Sequence, residues 1–194
     1  MSEQRLGALH GFLANVFPLI RGRDLLPAER MAETLRRIRQ TVRETALSEA
    51  GCANWPVAAG PTPSPLFIQH CNGAPGVINI LSGLPDDAGA SQEPLMLAAG
   101  ELIWRAGPPV KFPSLCHGAA GSGYALLKLY TRTGDDQWLR RARAFAMHGI
   151  GQAERALAQY GQRKFSLWTG DLGLAVFLSD CIAATSRFPM LDVF

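Results

Sequence analysis

A glycine-marked helix start recurs four times along this chain of 194 residues. Each copy has a glycine followed three residues later by a second glycine or an alanine, at Gly11/Ala14, Gly73/Gly76, Gly118/Gly121 and Gly170/Gly173. The leading glycines are 62, 45 and 52 residues apart. A repeat with this spacing is typical of chains that stack one supersecondary unit several times. This internal repeat limits the available folds more than any other feature of the sequence.

The segments after these starts alternate in character. Each of the first three copies opens a short, almost entirely apolar segment, and a longer amphipathic segment follows it. In the first amphipathic segment, apolar residues recur at steps of four, three and four, as Met31, Leu35, Ile38 and Val42. A helix that is apolar all round is a buried helix, whereas a single apolar stripe indicates one solvated face. Buried inner helices and half-solvated outer helices predict an all-α double ring of helical hairpins, a single domain over residues 1–194.

Helix boundaries follow from glycine, proline and capping signals. We predict helices over 11–21, from Pro27 to about Ser48, from Ala74, over 93–105, over 124–130, from 136 to Gly161 and from Gly170 to about Ile182. In the first of these, Pro18 either lies near the start or kinks the helix. The segment 51–65 is rich in proline and glycine and is predicted to be a long loop, and 85–89 is predicted to be a turn. A short strand at 66–68 is conceivable, but no alternation of apolar and polar residues favours a sheet.

Composition and charge argue against several functional classes. With 47% hydrophobic and 18% charged residues, the chain has an ordinary globular composition and can bury a core. The net charge is only +3 and the arginines are spread along predicted helix faces, which argues against nucleic-acid binding. The N-terminus lacks the apolar core of a signal peptide, and no stretch is apolar enough to span a membrane. We therefore expect a cytoplasmic protein.

Cysteine and histidine precede two of the glycine-marked starts. Cys71 lies two residues before Gly73, and Cys116-His117 lies directly before Gly118. Thiolate and imidazole are ligands that zinc prefers, and a catalytic zinc keeps three protein ligands and one open position. Helix N-termini also favour thiolate over thiol, because partial positive charge lies there. Cys71, Cys116 and His117 therefore form a candidate zinc site of the two-cysteine, one-histidine kind.

A structural role for these residues is the alternative interpretation. Cysteine is among the most buried residue types, so either cysteine, taken alone, is equally well explained as a small residue of the core. Two cysteines in matching frames of an internal repeat weaken that interpretation without removing it. Cys52 and Cys181 are interpreted as structural. His10 holds the equivalent position at the first start and imidazole titrates near neutral pH, so His10 is the candidate for acid–base catalysis. His70 precedes a proposed ligand and either lines the site or is structural.

The four motifs together resemble those of the lanthionine synthetase C-like (LanC-like) family. In order, they are Gly7-Ala8-Leu9-His10-Gly11, Cys71-Asn72-Gly73-Ala74-Pro75-Gly76, Cys116-His117-Gly118-Ala119-Ala120-Gly121 and Trp168-Thr169-Gly170-Asp171-Leu172-Gly173. Two cysteine motifs in this order, with a histidine after the second, are specific to the family. The closing Arg187-Phe188-Pro189 is similar to the stand-alone LanC-like proteins rather than to the dedicated lantibiotic cyclases.

The resemblance implies an α/α toroid of helical hairpins, with a zinc ion at its centre held by Cys71, Cys116 and His117. In the family, the zinc stabilises a substrate thiolate that adds to the β-carbon of a dehydroalanine or dehydrobutyrine residue and forms a thioether. His10 matches the histidine that transfers the proton. The thiol belongs to the same peptide in lantibiotic cyclases and to glutathione in stand-alone relatives. The implied partners are therefore glutathione and peptides or proteins that contain dehydroamino acids.

The chain also departs from the family pattern. Full family members are much longer, and this chain resembles only their C-terminal half, so the acidic partner of the acid–base histidine is missing. Asn72 stands where a histidine often follows the first cysteine, and Ala14 replaces a glycine. A partial toroid would expose apolar faces of its inner helices, which would favour homo-oligomers.

Three functions stay open at this point. The first is zinc-dependent thioether formation. The second is a catalytically inactive zinc- or glutathione-binding interaction protein, a truncated relic of the enzyme. The third is a carbohydrate-active enzyme, because α/α toroids also host glycosidases. Glycosidases need two carboxylates, and Asp171 is the only acid in the glycine-marked frames, which argues against the third function.

Overall fold

The computed structural model describes residues 4–84 and 93–193. Within these ranges the α-helices are α1 (Phe12–Arg21), α2 (Ala28–Glu44), α3 (Ala74–Leu81), α4 (Glu93–Ala106), α5 (Ala119–Thr133), α6 (Asp136–Tyr160) and α7 (Asp171–Ala183). A short 3-10 helix at Arg23–Leu25 follows α1. The predicted turn at 85–89 lies outside the described residues. Among the described helices, none has the length and apolar character needed to cross a membrane.

The helices alternate between a buried inner set and an outer set. Every residue of α3 is buried, and so is α5 from Ala119 to Leu129. The inner helices pack side by side, with α1 against α3, α3 against α5, and α5 against α7. The outer helices α4 and α6 each pack on the inner helix that precedes them. The chain is thus an all-α partial toroid built from helical hairpins, as the repeat predicts.

The amphipathic pattern of the outer helices predicts their buried faces. In α2, the stripe of Met31, Leu35, Ile38 and Val42 is buried. Helix α6 begins after Asp135, whose side chain accepts a hydrogen bond from the Gln137 amide at 2.8 Å. It ends at Gly161, which has a φ of 69° and so takes the left-handed conformation common after helices. The predicted start and end of this helix are both confirmed.

Helix α2 is shorter than predicted. It ends at Glu44 rather than near Ser48, because the next residues form a hairpin in which β2 (Leu47–Glu49) pairs with β3 (Cys52–Asn54). The turn residues Ala50 and Gly51 have φ values of 50° and 76°, which a tight two-residue hairpin turn requires. The predicted loop at 51–65 therefore begins inside a hairpin.

A second small sheet ties the N-terminus to this loop. Strand β1 (Gln4–Arg5) pairs with β4 (Ala58–Ala59), and the two strands run antiparallel. Leu66 makes only an isolated bridge to Pro56, so the conceivable strand at 66–68 does not form. Pro18 is the seventh of the ten residues of α1, inside the helix and not near its start.

The segment after α7 packs back against the inner helices. Asp180, near the end of α7, accepts hydrogen bonds from the Tyr124 hydroxyl at 2.9 Å and from the Thr185 hydroxyl at 2.7 Å. The Asp192 carboxylate pairs with the buried ammonium of Lys128 at 2.5 Å. Between these anchors the Phe188 ring is completely buried. We call residues 184–193 the C-terminal tail.

Candidate metal centre

Each inner helix is preceded by a loop that folds back over the first turn of the helix. We call these the start loops: residues 5–11, 67–73, 112–118 and 164–170. In all four, a Cβ on the closing glycine would come closer than 3.0 Å to the backbone oxygen six residues earlier. The same loops supply acceptors to the helix, as when the Ala119 amide donates to the Phe112 carbonyl at 3.0 Å. This close approach of backbone to backbone explains why the repeat carries glycine.

The second start loop reaches its helix through a side chain. The Asn54 carbonyl oxygen accepts from the Ala74 amide at 2.8 Å, and its amide group donates to the Phe67 carbonyl at 3.2 Å. Asn54 thus replaces the direct backbone bond that the third loop makes. Gly73 closes the loop with a φ of 99°, a conformation that glycine adopts without strain.

Backbone hydrogen bonds join the four start loops in chain order. The Ala8 amide donates to the Cys71 carbonyl at 3.0 Å, and the Cys71 amide donates to the Cys116 carbonyl at 3.0 Å. The Cys116 amide in turn donates to the Trp168 carbonyl at 2.9 Å. The two cysteines are therefore neighbours because their loops are neighbours.

The structure brings the three predicted metal ligands together. The sulfur atoms of Cys71 and Cys116 and a ring nitrogen of His117 all lie within 4.8 Å of one another. Within residues 4–84 and 93–193, no other group of three histidine, cysteine or acidic residues has this spacing. The Phe112 ring meets the His117 ring edge-on at a centroid distance of 5.1 Å. The Cys71 thiol also donates to the Gln69 side-chain oxygen at 3.3 Å.

A hydrogen bond joins the two thiols. A hydrogen bond from the Cys116 thiol, helped by the Asn72 side chain and opposed by burial, lowers the pKa of Cys71 to about 7. The same contact, together with burial, raises the pKa of Cys116. The first proton of the pair therefore leaves near neutral pH, and a cation between the sulfurs would favour loss of the second.

The donor set fits a zinc ion. With Zn–S near 2.3 Å and Zn–N near 2.0–2.1 Å, tetrahedral ligand atoms are roughly 3.5–4 Å apart. Donor atoms that already lie within 4.8 Å of one another need only small side-chain adjustments to reach that spacing. All three residues are half-buried. A catalytic zinc site has three protein ligands and keeps a fourth position open, and this group supplies three ligands.

The other predicted residues have different surroundings. His10 lies in the first start loop and is exposed, and it is not part of the three-residue group. His70 is completely buried, and burial together with the nearby Lys128 lowers its pKa to about 3, so its ring is neutral. Asp171 accepts from the Lys164 amide at 3.2 Å and lies 3.9 Å from Arg163, which gives it a role at the helix start.

Some residues around the site were not singled out from the sequence. Asn79 donates to His70 and to the Gly121 carbonyl from inside the apolar helix α3. A lone amide among Val77, Ile78, Ile80 and Leu81 is a signal that could have identified it. Gln69, which accepts from the Cys71 thiol, has no comparable signal in the sequence.

The fold and the site together define a helical partial toroid with a two-cysteine, one-histidine centre at the starts of its inner helices. The sequence profile of the family described as lanthionine synthetase C-like protein matches residues 2–193. This chain belongs to that family.

Two curated relatives are similar along most of this chain. A protein from Danio rerio, named glutathione S-transferase LANCL1, is 30% identical over 193 residues, which cover 98% of this chain and 46% of the relative. LanC-like protein GCL1 from Arabidopsis thaliana is 30% identical over 146 residues, which cover 72% of this chain and 33% of the relative. The chain thus spans less than half the length of these relatives.

Proposed function

We propose that this chain catalyses zinc-dependent thioether formation, in which a cysteine or glutathione thiol adds to a dehydroalanine or dehydrobutyrine residue. The observation that carries the proposal is the convergence of Cys71, Cys116 and His117 in one half-buried group. Membership of the LanC-like family and the name of the Danio rerio relative both support a thiol-addition or glutathione-related role.

The three ligands would hold the zinc ion through two sulfurs and one imidazole nitrogen. When bound, zinc lowers the pKa of a substrate thiol, which is near 8.5 for free cysteine, so that the thiol ionises at neutral pH. The protein's own contribution is to hold the metal-ligating residues in position. The Cys71 amide bonds the Cys116 carbonyl at 3.0 Å, and the Phe112 ring lies against His117. A prearranged donor set reduces the ordering cost of binding.

We propose that His10 transfers the proton from the thiol to the product. Addition forms the carbon–sulfur bond, breaks the carbon–carbon π bond and leaves an enolate, whose α-carbon takes up the proton that the thiol lost. An exposed imidazole in the first start loop can exchange protons with solvent. That loop is bonded to the Cys71 loop through the Ala8 amide, so His10 belongs to the same assembly of loops.

We also propose a cytoplasmic location and association between copies of the chain. Reduced thiols are maintained in the cytosol, and the free cysteines of the site depend on that. On the outer side of α6 and α7, Met147 is 67% exposed and Ile182 is 83% exposed. Large exposed apolar side chains on adjacent helices favour association with another surface.

A second candidate function is a zinc- or glutathione-binding interaction protein without turnover. The observation in its favour is that His10, the proposed acid–base residue, is exposed and is not part of the three-residue group. Both candidates need the same three ligands. They differ in whether a substrate is converted.

The test is addition of glutathione to a synthetic peptide that contains dehydroalanine, followed by mass spectrometry. Zinc-loaded wild type and Cys52→Ala should both give the adduct faster than the uncatalysed background, and Cys116→Ala should not. His10→Asn should be slower by roughly 10²–10⁴-fold, the usual contribution of a general acid or base. Zinc binding without adduct would favour the second candidate. Equal rates in wild type and Cys116→Ala would contradict the proposal.

A further inference from the structure

One amide side chain lies in an otherwise apolar inner helix. Asn79 is 3% exposed, and its neighbours along α3 are Val77, Ile78, Ile80 and Leu81. A polar group at such a position costs free energy unless it is hydrogen-bonded. What Asn79 contacts therefore indicates why an amide stands there.

The amide nitrogen of Asn79 links the two segments that carry the proposed ligands. It donates one hydrogen bond to the Gly121 carbonyl at 3.0 Å, in the first turn of the helix that follows Cys116-His117. It lies 3.2 Å from Nδ1 of His70, the residue that directly precedes Cys71. In the His70 tautomer whose proton is on Nε2, Nδ1 accepts from this amide, and both amide hydrogens are used, one on each ligand-bearing segment.

The acceptor on the Cys71 side is itself held in place. The His70 ring packs against Phe188 at a centroid distance of 4.6 Å and stacks on Trp168 at 5.8 Å with an interplanar angle of 20°. His70 is completely buried beside these two rings. The bond from Asn79 therefore fixes the Cys71 loop and not merely a mobile side chain.

The same amide carries an unfavourable feature. The Asn79 side-chain oxygen is buried and has no hydrogen-bond partner among the described residues. An unpaired buried acceptor costs free energy, which an apolar side chain of the same size would avoid. The amide nitrogen of Asn79 offsets this cost, because its two hydrogen bonds go to the ligand-bearing segments.

We propose that Asn79 is a positioning residue for the metal site. Through His70 and Gly121 it holds the Cys71 loop and the Cys116-His117 helix start at the separation that a shared metal ion needs. This inference rests on the proposed zinc binding. Partners of metal ligands that lie one step further out typically change metal affinity by about 10–100-fold when they are removed.

The test uses Co²⁺ as a spectroscopic substitute for zinc, titrated into the metal-free full chain and followed by visible and near-ultraviolet absorption. Wild type should give thiolate-to-cobalt charge-transfer bands and the d–d bands of a tetrahedral site. Asn79→Leu should bind Co²⁺ about 10–100-fold more weakly, with displaced d–d bands. Tyr124→Phe is the matched control, because the hydroxyl that it removes is buried and bonds Asp180 rather than His70 or Gly121. It should keep the wild-type affinity and spectrum.

Each outcome supports or overturns the inference. Wild-type affinity and spectrum in folded Asn79→Leu would overturn it, as would an equal change in Tyr124→Phe. If Asn79→Leu does not fold, His70→Phe decides instead, since it keeps an aromatic ring in the stack and removes the Nδ1 acceptor of the Asn79 bond. Weakened Co²⁺ binding in His70→Phe supports the role, and wild-type binding overturns it. Failure of wild type itself to bind Co²⁺ through thiolates would instead refute the metal site proposed above.

Discussion

Cys71 lies in a loop before an inner helix, whereas Cys181 lies near the end of α7, and these two surroundings change the pKa of the thiol in opposite directions. A hydrogen bond from Cys116 lowers the pKa of Cys71 to about 7. Burial raises the pKa of Cys181 to about 12, although Arg143 partly opposes this. We call the end of the molecule with the start loops the ligand end, and the opposite end, where α6 begins and α7 ends, the far end. The Cys71 thiol at the ligand end therefore ionises more easily than a free thiol, and the Cys181 thiol at the far end stays neutral.

The two ends also begin their helices differently. At the ligand end, start-loop carbonyls accept from the first turns of α1, α5 and α7, and the Asn54 side chain takes that place at α3. The closing glycines leave room for this close approach. At the far end, α6 starts with an Asp135 side chain that accepts from the Gln137 amide. Backbone loops place cysteines and histidines rigidly, whereas a side-chain cap only stabilises the helix. The ligand-bearing loops are thus held by backbone hydrogen bonds to one another.

The largest expected effect is a methyl group added at the ligand end. In Gly121→Ala, the new Cβ would overlap the backbone carbonyl of Leu115, which cannot move without opening the start loop. We expect a loss of more than about 4 kcal/mol in the free energy of unfolding, measured by urea denaturation. The control is Gly83→Ala, because nothing lies within 4 Å of that position. Similar stability of the two variants would break the comparison.

The second effect concerns the C-terminal tail, which connects the two ends. Phe188→Ala removes a completely buried ring that packs on His70 and Tyr124. We expect a loss of about 3–5 kcal/mol, as for other large core truncations. Phe165→Ala is the control, because Phe165 is 79% exposed and its loss should change stability by less than about 0.5 kcal/mol. A change below about 1 kcal/mol for Phe188→Ala would show that the tail does not hold the ends together.

The third effect is a pH dependence at the far end. The pKa of Cys181 is about 12 in the folded chain and 9.0 in the reference state, so the unfolded chain loses this proton first. The stability from the protonated thiol is fully present below pH 9 and is lost as the pH rises. We expect about 1.5 kcal/mol of loss from this group between pH 9 and 10.5.

Cys181→Ala should lose less stability between pH 9 and 10.5 than wild type, by that amount. Cys52→Ala should lose as much stability as wild type. Urea denaturation at several pH values between 8 and 10.5 gives both slopes. An unchanged slope in Cys181→Ala would mean that the far-end thiol ionises as freely as in the unfolded chain.

The smallest effect tests the side-chain cap. Asp135→Ala leaves the Gln137 amide without its acceptor, and we expect a loss of about 1 kcal/mol in thermal or urea unfolding. Asp136→Ala, in the first turn beside it, should cost only a few tenths of that because it provides no cap bond. A cost at Asp135 as large as that at Gly121 would remove the distinction between the two ends.

The sequence predicts the parts of this fold that are periodic. The glycine pairs predict the inner helix starts, and the stripe from Met31 to Val42 predicts the buried face of α2. The end of α2 was predicted wrongly because the helical pattern continues to Ser48, while the turn at Ala50-Gly51 and pairing with β3 favour a hairpin. Pairing between strands decides where such a helix ends, and the spacing of apolar residues along the helix does not reveal that pairing.

For the site, the repeat predicts the ligands but not what supports them. Cys71, Cys116 and His117 stand at matching positions of the repeat, and the structure brings them together. The Asn79 bond to Gly121 joins residues 42 positions apart. A single amide in a buried helix marks an exception to the pattern, but it does not say which distant group it meets.

The measurement that tests the central claim most directly is the zinc content of the purified, folded chain, with wild type beside Cys116→Ala and Cys52→Ala. The proposed site predicts about one zinc per chain in wild type and in Cys52→Ala, and none in Cys116→Ala. Circular dichroism should show the same helical content in all three. A well-folded wild-type chain without zinc, or zinc retained in Cys116→Ala, would contradict the account.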